Sequence, residues 1–213
     1  MSERTSNISC DEIYPDLAVA VLAGGESSRF GADKALVSLV PGGPPLIAQI
    51  IEKALALSDQ VAIIGHNRYS ALDLGVPIVP DDEPGSGPLG GMATALQRLD
   101  SSRVLVLACD MPCLSLPLLR WMIERTMVAD VLIPRTDDGR WHPMHALYHR
   151  SALPAIERSL RSGRRAVRSI LPLLTVDAIG EPELSKIDRD LSSLFSLNRP
   201  EDLARAIQCV SRR

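Results

Sequence analysis

Gly24-Gly25 ends the apolar run of residues 17–22 (LAVAVL) and opens a polar loop, Glu26-Ser27-Ser28-Arg29-Phe30-Gly31-Ala32-Asp33-Lys34. Adjacent glycines carry no Cβ to hold an anion away from the backbone amides. Successive N–H groups in such a turn form an anion-binding concavity. Arg29 and Lys34 add fixed positive charge to the same loop. This is the chemistry of holding a polyphosphate. The competing reading is a glycine turn with two exposed cations, since glycine punctuates many strand ends. The spacing excludes two familiar nucleotide loops. Gly24, Gly25 and Gly31 do not fit G-x-G-x-x-G, and Lys34 sits between Asp33 and Ala35 rather than in Gly-Lys-Ser/Thr.

Asp110 follows the fully apolar segment 104–108 (VLVLA) by two residues. A carboxylate there cannot turn into the core without a large desolvation cost, so it should face a crevice. It suits Mg2+, a hard cation bound through one or two carboxylates together with phosphate oxygens. The bland reading is a turn or helix-capping Asp ahead of Met111-Pro112. Asp81-Asp82-Glu83 closes a third apolar segment and leads into Gly85-Ser86-Gly87-Pro88-Leu89-Gly90-Gly91. Three acids in a row are usually a solvated turn, but a strand end beside a glycine-rich helix entry is where a ligand would meet one of them.

The elements that position these groups alternate. Short apolar runs at 17–22, 61–64 (VAII), 76–79 and 104–108 read as strands buried on both faces, and 131–134 as a fifth. Amphipathic stretches at 46–55, 89–99 and 115–127 read as helices, the first opened by Pro44-Pro45 and the third capped by Ser115. Beyond them, 145–148 (HALY) is a strand candidate, 151–161 a helix, 167–171 a short helix, 175–178 an edge strand and 200–210 a last helix. The pattern predicts a mostly parallel sheet covered on both faces, with ligands beyond the carboxyl ends of its strands. Residues 1–16 read as a flexible leader and 17–213 as one domain.

Composition agrees with an ordinary globular chain. Of 213 residues, 46% are apolar and 23% charged, and the net charge of −3 argues against a bulk-electrostatic nucleic-acid binder. No apolar stretch reaches the roughly 18 residues of a membrane span, and the polar start resembles no signal peptide. The four cysteines, Cys10, Cys109, Cys113 and Cys209, lack zinc-finger spacing. They are expected to be reduced thiols in a cytoplasmic protein, a monomer or weak oligomer.

The motifs LAGGESSRFGADKA, GPLGGM, CDMP, Trp141-His142-Pro143 followed by ALY, and the terminal LNRPEDL occur in this order. Together they resemble the MobA-type molybdenum cofactor guanylyltransferases of the molybdopterin nucleotidyltransferase family, over residues 17–210. The resemblance implies an α/β fold: a single-domain, Rossmann-like three-layer sandwich. It implies transfer of GMP from GTP to the phosphate of molybdenum-molybdopterin, with release of pyrophosphate and Mg2+ as cofactor. A molybdoenzyme or another cofactor-biosynthesis protein would be the partner. Leu22, Ala23, Gly24 and Gly25 would hold the nucleotide, Lys34 and Arg29 its phosphates, Asp81 the nucleoside, and Asp110 both nucleotide and metal. The Gly-Gly of LAGG resembles guanylyl-transferring members, where cytidylyl-transferring relatives tend to carry LAAG.

On the acceptor side, with the resemblance in hand, His142 reads as shaping a pterin-side pocket rather than doing acid–base work, with a packed or hydrogen-bonded histidine as the competing reading, and Asn198 is a second candidate. The basic run Arg161, Arg164, Arg165 and Arg168 is by default a solvated face. An anionic acceptor gives Arg164 and Arg165 a binding role. The chain departs from the family pattern at three places: Gly65 stands where Asn usually follows the second strand, Ser196-Leu197-Asn198 replaces N-x-N, and Phe30 replaces Met. The competing readings are a CTP-using or sugar-phosphate nucleotidyltransferase and a non-catalytic carrier of nucleotide and cofactor.

Overall fold

The computed structural model describes residues 13–24, 33–65, 67–83 and 85–211. Seven strands form one sheet: β1 (Leu17–Ala23), β2 (Gln60–Gly65), β3 (Ile78–Val79), β4 (Arg103–Ala108), β5 (Val131–Arg135), β6 (His145–His149) and β7 (Val176–Gly180). Their order is β3-β2-β1-β4-β6-β5-β7, and only β6 runs antiparallel to its neighbours. The strand order reverses between β1 and β4, which places the crevice at their carboxyl ends. The run 17–23 is buried throughout because both of its faces are covered.

One face packs α1 (Leu46–Leu55), α3 (Leu116–Ile123), α5 (Glu181–Leu184) and α6 (Asp202–Ser211) on the odd-numbered side chains of β1, around Val19, Val21, Leu105 and Leu147. The other face packs α2 (Gly87–Arg98) and α4 (Leu153–Arg161) on Ala18, Ala20, Val106 and Tyr148. The expected three-layer Rossmann-like sandwich is therefore what the chain forms. Within it β3 shrinks to two residues, α3 ends at Ile123 rather than 127, and 167–173 forms two 3-10 turns in place of a helix. Ser115 caps α3 as expected, accepting from the Leu118 N–H.

Two expectations about the chain's periphery need adjustment. Residues 13–16, given to the leader by composition, are tied down: the Tyr14 N–H donates to the Leu57 carbonyl, and Asp16 pairs with Arg103 at 2.9 Å. Residues 1–12 lie outside the described part. The four cysteines are not all free thiols. Cys113 and Cys209 are joined in a disulfide with their Cα atoms 6.0 Å apart, because the loop after β4 runs beside α6, while Cys109 is free.

The reversed β6 matters for function. An antiparallel strand begins where its parallel neighbours end, so His145 lies opposite Leu107 near the carboxyl end of β4. The residues just before β6 are thereby delivered to the same edge as the loops after β1 and β4.

Candidate active site

Three distant segments meet at Lys34. Its Nζ lies 3.4 Å from Asp110 Oδ2 and donates to Asn198 Oδ1 at 3.2 Å. Each partner is held by local chemistry. Asp33 caps the single 3-10 turn Lys34–Leu36, accepting the Ala35 N–H at 3.1 Å. The buried Tyr69 hydroxyl donates to the same carboxylate at 3.0 Å. The Asp110 carbonyl accepts the Leu197 N–H at 2.8 Å, which anchors the segment 196–198. Asp202, in the first turn of α6, accepts the Asn198 and Arg199 N–H groups, each at 2.8 Å. Those backbone donors hold its carboxyl below the usual range.

Asp110 is under opposing influences. Burial raises its pKa above the ordinary carboxylate value, against the charge and hydrogen bond of Lys34. Its Oδ1 is buried without a hydrogen-bond partner among the described residues. An orphaned carboxylate oxygen beside a lysine fits a divalent cation that would draw its remaining ligands from phosphate oxygens and water. No cluster of three or more His, Cys, Asp or Glu among the described residues makes a closed metal cage. Asp110 is the residue here that could hold such a cation.

The end of β1 is packed from both sides. The Leu22 carbonyl accepts the Cys109 N–H at 3.2 Å. Gly65, at φ +146°, presses on Ala23 and Gly24: a Cβ there would lie 2.8 Å from the Ala23 carbonyl carbon. The residue that looked like a lost Asn is therefore a position where only glycine fits, because the backbones of two parallel strands touch. On the opposite face, Gly91 brings α2 against Leu22, and a Cβ at Gly90 would lie 3.2 Å from Asp81 Oδ1. Asp81 is fixed there, accepting from the Glu83 N–H at 3.0 Å and from Thr94 Oγ1 at 3.3 Å. Its two neighbours do other work: Asp82 forms a bidentate pair with Arg98, and Glu83 accepts from Ser86.

A cavity of about 810 Å³ adjoins this cluster and shares Asn198 with it. Met111, Met144, His142 and His145 form part of its wall, and the exposed Arg140, Arg199 and Arg205 also line it. The segment leading to His142 is stiffened by Arg135, whose guanidinium stands over the Trp141 ring at 5.0 Å. The His142 N–H donates to the Pro134 carbonyl at 3.1 Å. Burial, with the Arg140 charge, pushes the His142 pKa down.

The structure thus brings Leu22, Ala23, Gly24, Lys34 and Asp110 to one edge, with Asn198 on Lys34 and Asp81 reaching that edge through α2. Arg164 and Arg165 go elsewhere. They are exposed beyond α4, and the Arg165 carbonyl faces Gly87 at the start of α2 rather than the cavity of His142. Gly25 and Arg29 lie outside the described residues. Sequence reasoning missed Tyr69, Asp202 and His145. Asp202 had a signal, four residues after Asn198 at a helix start, whereas His145 sits in a segment read only as an apolar strand and Tyr69 in a stretch given no element.

Comparison with known proteins gives a consistent result. A family model described as MobA-like NTP transferase domain matches residues 19–177. A protein of Pelotomaculum thermopropionicum named "Probable molybdenum cofactor guanylyltransferase" is 34% identical, the match covering 87% of this chain and 89% of that one. A protein of Chloroflexus aggregans with the same name is 35% identical, covering 86% and 89%. Among solved structures, molybdopterin-guanine dinucleotide biosynthesis protein A from Archaeoglobus fulgidus superposes with a TM-score of 0.79 at 30% identity, over 92% of this chain and all of that one.

Proposed function

Since the chain belongs to the family of MobA-like NTP transferase domains, and is therefore a nucleotidyltransferase, we propose that it transfers GMP from GTP to the phosphate of molybdenum-molybdopterin, releasing pyrophosphate. The observation that carries the reading is the meeting of Lys34, Asp110 and Asn198 between the strand-end loop and the cavity. One reactant would lie on each side of that lysine.

An oxygen of the acceptor phosphate attacks the α-phosphorus of GTP; the bond from that phosphorus to the bridging oxygen breaks, and pyrophosphate leaves with the electron pair. Both reactants are anions, so positioning and charge neutralisation supply most of the catalysis. Lys34, fixed through Asp33 and Tyr69, places its ammonium where those charges converge. Arg29 adds a second cation to the same loop. The amides around Gly24 and Gly25 orient the phosphates, and Asp81 receives the nucleoside. The acceptor phosphate is already ionised near neutral pH, so no general base is required. Asp110 would hold Mg2+, which when bound draws charge from phosphate oxygens.

The test is a pyrophosphate-release assay with each of the four nucleoside triphosphates, with and without molybdopterin. Release that depends on both GTP and molybdopterin supports the reading. Preference for CTP would make the chain a cytidylyltransferase. Binding of GTP with no release in the presence of acceptor would make it a carrier.

A further inference from the structure

Five buried side-chain atoms lack a hydrogen-bond partner among the described residues, and four of them gather here: Asp110 Oδ1, His142 Nε2 and both ring nitrogens of His145. Buried polar groups are satisfied in the great majority of cases, so a cluster of exceptions asks for an explanation. Asp110 Oδ1 has one in the metal it would hold. The histidines have none in the chemistry described so far.

His145 is fully buried where it forms part of the cavity wall, and His142 stands part-exposed three residues before it. The two are linked through the backbone, the His145 N–H donating to the His142 carbonyl at 3.0 Å. Burial pushes the pKa of both rings down, that of His145 to about 3. Each ring is then a neutral imidazole with one N–H donor and one acceptor nitrogen. Such a floor offers no charge to an anion, and around it Arg140, Arg199 and Arg205 are matched by Asp138, Glu181, Asp190 and Asp202. Two histidines without a third ligand do not make a metal site either. They match the edge of an uncharged fused heterocycle, where N–H donors and carbonyl or ring-nitrogen acceptors alternate. The cavity volume is that of a small-molecule site. Met111 and Met144, also in its wall, can shift to admit a ring as far as His145.

We propose that His142 and His145 form a neutral hydrogen-bonding floor that reads the pterin edge of the acceptor, whose phosphate lies towards Lys34. The proposal rests on the guanylyltransfer reading above and adds His145 as a specificity-determining residue.

The probe is 6-hydroxymethylpterin, titrated into the full chain and followed by pterin fluorescence and by the 15N shifts of the histidine rings. Wild type should bind the pterin and move the ring-nitrogen shifts of His142 and His145, which GTP should leave in place. His145→Leu should weaken pterin binding by at least about tenfold, the effect of leaving polar ligand atoms unpaired. Its affinity for GTP should stay within about twofold of wild type, because the lost bonds are to the pterin alone. His142→Phe, at the part-exposed position, should act in the same direction and provides the readout if His145→Leu fails to fold. Unchanged pterin affinity in the folded variant, or ring-nitrogen shifts that ignore the pterin, would mean that the floor holds buried water only and would overturn the proposal. A chain that binds pterin through these histidines yet releases no pyrophosphate from GTP would instead overturn the guanylyltransfer reading and leave the floor standing.

Discussion

Asp110 must stay ionised in a partly buried position, and Lys34 is what offsets the cost. Asp110→Asn keeps the shape and removes the charge. It should lower the rate of nucleotidyl transfer by about a hundredfold or more, as expected when a preorganised electrostatic group is lost. The melting temperature should change by no more than a few degrees, about what 1 kcal/mol does in a chain of this size. Initial rates and a thermal scan check both. His145 makes a separate prediction about pH. Its native pKa, about 3, lies below the unfolded value near 6.5, so between those values the unfolded chain binds a proton that the native chain does not. Stability is undiminished above pH 6.5 and falls as the pH drops towards 3, with a slope of up to about 1.4 kcal/mol per unit. Urea titrations at several pH values should show this slope in wild type and a shallower one in His145→Leu.

The elements around the crevice are set by close backbone approach. Gly65→Ala would push a methyl into Ala23 and Gly24 at a backbone angle that alanine rarely adopts. It should cost about 1–3 kcal/mol of stability and weaken nucleotide binding together with it. Gly90→Ala tests the opposite side of the crevice. Its methyl would lie 2.7 Å from Ser86 Cβ and 3.2 Å from Asp81 Oδ1, so the start of α2 must shift to admit it, against the roughly 1 kcal/mol by which alanine favours a helix over glycine. Overpacking should cost about 1–3 kcal/mol of stability and lower affinity for the nucleotide with it; denaturant titration beside nucleotide titration checks both. The sheet was legible in the sequence because strands buried on both faces are continuous apolar runs, and 17–23, 60–65 and 103–108 fall where those runs are. The reversal of β6 was not, since periodicity carries no strand direction. Lys34 and Asp110 could be found as charged residues at strand ends. The support that Tyr69 gives Lys34 through Asp33 could not, because it depends on a contact across 36 residues, whereas Asp202 carried a readable sign as the cap of a helix starting four residues after Asn198.

At the scale of the whole molecule, α6 holds the Asn198 side of the crevice yet buries only Ala206 fully. Its attachment therefore leans on the link between Cys113 and Cys209, which closes a loop of 96 residues. Cys209→Ser, or wild type treated with a thiol reductant, should lose about 2–4 kcal/mol of stability, as is typical for such a link. The two should unfold at the same urea concentration if the cross-link alone is responsible. The antiparallel β6 has the widest consequence. The forward-running strands β1, β3 and β4 lead into Leu22 to Gly24, Asp81 and Asp110, the residues expected to meet the nucleotide, whereas the backward strand and the turn before it supply the part of the cavity wall around His142 and His145. On the proposed reading the two specificities lie on separate stretches of chain that meet at Lys34, Asp110 and Asn198. Grafting residues 136–145 from a relative with a different acceptor should retarget the enzyme while sparing its choice of base, and that independence gives such a scaffold room to diversify.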